Sequence, residues 1–165
     1  MQAIDEQTVD STWQEVAGYG QDEAAQKMEL LSQAQPSLLA LIAARTEDLD
    51  QEARELTIYM FFLVYAIFRR AFGKEIPLVS LDAIMTEQQE THQLIENIES
   101  LPEESWDASV LDEPMRQPFV MRHIMDAITE TDESADVDEL TEDERAMIFL
   151  TMRSVVTLLD EATEE

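Results

Sequence analysis

Two stretches of this chain open on the same dipeptide and continue as apolar helix patterns. Gln35-Pro36 leads into Leu38, Leu39, Leu41 and Ile42, and Gln117-Pro118 leads into Phe119, Val120, Met121 and Ile124. Each is followed by an acidic connector and then a longer apolar pattern, which opens at Leu49 to Arg54 in the first copy and at Leu140 to Arg145 in the second. Beyond the arginines, Ile58, Val64, Ile67 and Phe68 align with Phe149, Val155, Leu158 and Leu159. Residues 35–72 and 117–160 are therefore read as two copies of one helix pair. The second copy has the longer connector, within residues 130–139, which is polar and acidic enough for a surface loop. Two copies are too few for an extended solenoid. The expected fold is all-α, a compact bundle of five or six helices.

The finer pattern supports helices throughout. Ala53, Leu56, Met60, Leu63 or Val64, and Ile67 advance in threes and fours and mark one core face. Ile58, Phe61, Phe62, Tyr65 and Phe68 widen that face until most of the circumference is apolar, so this helix is expected to be central. Asp50 is a suitable N-cap, with Leu49 placed as a hydrophobic staple. Arg69 and Arg70 suit the last turn, where cations meet unpaired carbonyls, and Gly73 suits the stop. Ser80 is placed to cap a helix from Leu81 to about Leu101. Residues 103–113 read as a connector anchored by Trp106. Thr141 and Glu144 have the spacing of a capping box, and the tail from Asp160 is expected to be solvated. Residues 1–20 are weakly patterned and are read as a flexible arm, because Gly18 and Gly20 interrupt any helix. Residues 21–165 are read as a single helical domain.

The absence of cysteine excludes disulfides, thiolate ligands and a cysteine nucleophile. The longest strongly apolar run, Ile58 to Phe68, falls short of the roughly 20 residues that span a bilayer. No secretory signal is readable at the N-terminus. A cytoplasmic protein without membrane insertion is the expectation.

Ten basic residues stand against 37 acidic ones, a formal charge of −27. Residues 80–113 contain no lysine or arginine at all. Such a field repels phosphate backbones, so direct nucleic-acid binding is not expected. The acidity suits a salty cytoplasm, simple solubility or a basic protein partner. The nearly all-apolar central helix also suits burial against a second copy, as a homodimer.

Few residues invite chemistry. His92 has Glu96 one turn on, and His123 has Asp126 three residues on. If their helices were adjacent, His92, Glu96, His123 and Asp126 could share one divalent metal, being nitrogen and carboxylate donors. The spacing matches no named metal motif, and in so acidic a chain almost any histidine has an acid one turn away. Asp132, Asp136, Asp138 and Asp143 lack the glycine and register of a calcium loop. Arg54 and Arg145 occupy matching positions near helix starts, where cations are disfavoured. Connector clamps would explain them, with Glu47 or Asp48 as partner of Arg54 and Asp138 or Glu139 as partner of Arg145. No phosphate loop, nucleophile elbow or cofactor motif is readable, and no residue is nominated as catalytic. The functional expectation is a nonenzymatic protein-interaction or regulatory module. The alternative is a metal-binding protein or enzyme using a histidine and carboxylate site between helices.

Overall fold

A computed structural model of the protein describes residues 3–73, 75–99, 117–130 and 142–163. The described residues form seven α-helices and no strand: α1 Glu6–Ala17, α2 Gln21–Ala34, α3 Pro36–Arg45, α4 Gln51–Phe72, α5 Leu81–Glu99, α6 Pro118–Glu130 and α7 Glu142–Thr163. The all-α expectation is met, with more helices than the five or six anticipated. The added helix is α1. Asp5 caps it by accepting from Thr8 N–H at 2.7 Å, and Val9, Thr12 and Val16 form a buried stripe at three- and four-residue spacing. That stripe is short and includes a threonine, so the sequence pattern over residues 1–20 is weak. Gly18 terminates α1 rather than interrupting it.

Helix α4 is central, as its broad apolar face requires. It packs against α1, α3 and α7. Met60, Phe61, Leu63, Val64, Ile67 and Phe68 are all but fully buried. Each such side chain stabilises the fold by about 1.5–3 kcal/mol relative to exposure. From α7, Ile148, Met152, Val155, Val156 and Leu159 complete the core with Ile124 and Ile128 of α6. Gly73 ends α4 at φ 63°, the left-handed conformation that glycine adopts without steric penalty. Asp50 stands at the N-cap position, but its side chain makes no capping hydrogen bond. Ser80 does cap, its Oγ accepting from Ala83 N–H at 3.1 Å. The connector with Trp106, the acidic loop and Thr141 lie outside the described residues.

Both glutamines of the Gln-Pro pairs are buried, at 0 % and 1 % exposure, and each bonds a non-helical segment. Gln35 donates through Nε2 to Pro77 O at 2.9 Å and accepts Val79 N–H through Oε1 at 3.0 Å. Gln117 accepts Ile4 N–H at 2.7 Å and donates to Asp160 Oδ1 at 2.7 Å. A primary amide offers a donor and an acceptor at one tip, so a single side chain satisfies two polar groups that the core has taken from water. The prolines follow as first residues of α3 and α6, positions that need no N–H donor. Asp160 therefore is not part of a solvated tail. It is 1 % exposed, and α7 continues past it to Thr163.

Candidate functional site

The four residues with metal-ligand chemistry fall into two separate pairings. His92 and Glu96 lie one turn apart on an exposed face of α5, with Nε2 and Oε1 at 3.1 Å. His123 of α6 instead meets Asp10 of α1, with Nε2 and Oδ1 at 2.6 Å, and its ring lies 5.3 Å from that of Trp13. Asp126 is exposed on α6. Among the described residues, no three histidine, aspartate or glutamate side chains converge as a metal site. His123 thus joins α1 to α6, two helices in direct contact. Asp132, Asp136 and Asp138 lie outside the described residues, as does the side chain of Asp143. Arg54 is exposed and makes no ion pair among the described residues, with Glu47 and Asp48 both described. The suggested partners of Arg145, Asp138 and Glu139, are outside them.

A buried polar knot joins α3, α5 and α7. Ser154 is fully buried and accepts from Arg45 Nη1 at 2.7 Å. Thr91 Oγ1 lies 3.1 Å from Ser154 Oγ and donates to Glu87 Oε1 at 3.2 Å. Burial pushes the Glu87 carboxyl above its ordinary range, while hydrogen bonds from Ser154 and Thr91 and the charge of Arg153 oppose the rise. Burial likewise lowers the Arg45 guanidinium, against the attraction of Glu87. Shifted groups of this kind mark active sites when a substrate can reach them. Here Ser154 has no exposure and no histidine takes part, so the knot fastens helices rather than performing acyl transfer.

The Glu87 shift has a pH signature. A carboxyl raised on folding favours the folded state when protonated, and that contribution fades as pH rises from the ordinary glutamate range through the raised value. Glu87→Gln keeps an acceptor for Thr91 and Ser154 without a charge to desolvate. At neutral pH the variant should be more stable than the wild type, with the gap closing as pH falls through the carboxyl range. Urea unfolding of both proteins across that range checks this. A gap of constant size, or a variant weaker at neutral pH, would contradict it.

A cleft of about 760 Å³ lies between α1, α2 and α4. Its floor is Phe62, Tyr65 and Ala66 of α4 with Leu31 of α2. Tyr19 and Leu30 form apolar walls, and Leu30 is 60 % exposed. Lys27, Arg69 and Arg70 line the same cleft, three of the ten basic residues in the chain, and among the described residues its acidic lining is Glu15 and Glu75. Two of the three cations are engaged. Arg70 Nη1 binds Glu15 Oε2 at 2.7 Å, and Lys27 Nζ sits 5.0 Å above the Tyr19 ring. Arg69 is exposed and forms no ion pair among the described residues. Burial raises the Tyr65 phenol, opposed by the nearby Arg69 charge, while Glu75 adds to the rise and a hydrogen bond with Gln35 lowers it.

Helix-end electrostatics accounts for cations at 69 and 70. It does not account for Lys27, which lies within α2, or for the aromatic floor. The cleft volume falls in the range of ligand sites, although its lining is more polar than theirs usually is. The sequence places Arg69 and Arg70 at a helix end without their neighbours, because Tyr19, Lys27 and Leu30 meet them only through tertiary packing. The one available signal was the scarcity of lysine, with Lys27 and Lys74 alone in the chain. No family model, curated protein or solved structure matches the chain.

Proposed function

We propose that this protein is a nonenzymatic helical interaction module that recognises a basic protein partner through the cleft between α1, α2 and α4. The observation that carries this reading is the gathering of Lys27, Arg69 and Arg70 around an aromatic floor in a chain of charge −27. Two scales of electrostatics then act together. The overall acidic field attracts a basic body over a Debye length or so and accelerates encounter. The cleft supplies the short-range fit, with an apolar floor and local positive charge for one negative group of the partner. A duplicated plan of residues 35–72 and 117–160 is part of the same reading. It is supported by Gln35 and Gln117, which precede matching prolines and each bond a non-helical segment.

Capture of the tagged protein from its own cell extract tests the module, run beside a variant carrying Arg69→Glu and Lys27→Glu. Both side chains lie at least partly at the surface, so the fold should persist. The wild type should retain one partner in fixed ratio as salt is raised, and the variant should lose it. Equal retention by both proteins would remove the cleft from recognition. Loss of every captured protein at moderate salt, from the wild type as well, would reduce the acidic surface to nonspecific attraction.

A further inference from the structure

The cleft also constrains what part of a partner it can read, given the interaction module as its function. We propose that it receives the C-terminus of a basic polypeptide that ends in an apolar residue, with Arg69 meeting the terminal carboxylate. Three observations lead there. First, the charge left for a ligand is specific. Glu15 already holds Arg70, and Lys27 is stationed over Tyr19, whereas Arg69 has no ion-pair partner among the described residues. A guanidinium presents a fork of donors that matches a carboxylate, and such charge-assisted pairs are the stronger hydrogen bonds.

Second, Arg69 shares the cleft with an apolar surface as well as with the charged Lys27, Arg70, Glu15 and Glu75. Phe62 and Tyr19 meet edge to face at 6.2 Å, and Leu30 stands at the margin with 60 % of its surface open. A ligand of charge alone, such as inorganic phosphate, leaves this surface unused. Third, the field of the whole chain selects the body behind the anion. A charge of −27 repels polyanions and gives a free fatty acid no assistance. A basic polypeptide is attracted, and its one obligatory negative charge is its C-terminal carboxylate. Recognition of a chain end by its carboxylate is an established mode of peptide binding.

The experiment uses a short peptide with two lysines and a C-terminal phenylalanine, compared by calorimetric titration with the same peptide as its C-terminal amide, with octanoate and with inorganic phosphate. The protein should bind the free acid one to one. The amide should bind at least about tenfold more weakly, equivalent to about 1.4 kcal/mol. Arg69→Gln should lower the free acid to the level of the amide while leaving the amide unchanged. Equal binding of acid and amide overturns the proposal, as does octanoate binding more tightly than the peptide, which would make the ligand a free amphiphile. If no peptide binds while partner capture still depends on Arg69 and Lys27, the C-terminus is overturned and the interaction module stands. If capture ignores both residues, the cleft is removed from recognition and the chain-end proposal falls with it.

Discussion

Phe61→Ala should lower the stability of this protein by about 3–5 kcal/mol, the range for emptying an aromatic site in a packed core. Phe61 has no exposure and sits at the middle of α4, the helix that α1, α3 and α7 all contact. Its ring meets Tyr65 one turn on, at 6.4 Å and 63° between planes. Truncation therefore removes buried area, leaves a cavity and frees a residue of the cleft floor. Domains of this size have total stabilities of about 5–15 kcal/mol, so the loss would be a large fraction of the whole. Urea unfolding at fixed salt measures it; salt must be constant because a chain of −27 repels itself in a screening-dependent way. A loss below about 1 kcal/mol would contradict the central position of α4.

Gln117→Ala should be the next most damaging, at roughly 2–6 kcal/mol, because it removes hydrogen bonds to two buried groups at about 1–3 kcal/mol each. Ile4 N–H loses its acceptor, and Asp160 loses the amide donor at 2.7 Å. The charged acceptor makes the loss larger than for a neutral pair. Gln117 also sits at φ 56°, a left-handed conformation that is costly for most side chains. Gln117→Gly relieves that backbone strain while removing the same hydrogen bonds, so it should destabilise by less than Gln117→Ala. If alanine and glycine variants are both as stable as the wild type, the glutamine does not fasten the N-terminal segment to α7.

The central helix was legible because its signal is local. Apolar residues from Ala53 to Phe68 recur at helical spacing, and Gly73 marks the stop. Gly73 does take the left-handed conformation expected of such a stop, and Ser80 caps α5 as its position suggests. The Gln-Pro pairs were visible as a motif, but the reason lay elsewhere. Proline starts the helix, whereas the glutamine acts on segments up to 113 positions away. Helix α1 was hidden by a short stripe of Val9, Thr12 and Val16, and its packing on α4 is what fixes it. The same holds for Asp160, which reads as a tail residue until Gln117 is placed against it.

The candidate site was less legible than the fold. Histidines attract notice by their chemistry, yet His92 pairs with its own helix neighbour and His123 with Asp10, a residue the spacing along α6 cannot indicate. The cleft is assembled from three helices, and its cations are common residue types with a sufficient local explanation at each position. Only their convergence in an otherwise acidic molecule distinguishes them. Glu87 and Ser154 likewise gain meaning from depth, which one helix pattern in an acidic chain does not reveal.

The central claim is that recognition resides in the cleft, and its most direct test is nuclear magnetic resonance of the isotopically labelled protein titrated with the free-acid peptide. Signals of Tyr19, Lys27, Ala66 and Gly73, with the Nε–H of Arg69, should shift together and saturate at one peptide per chain. Shifts gathered instead around Leu78, Leu81 and Met85, the exposed apolar residues at the start of α5, would place recognition on another face and contradict the account.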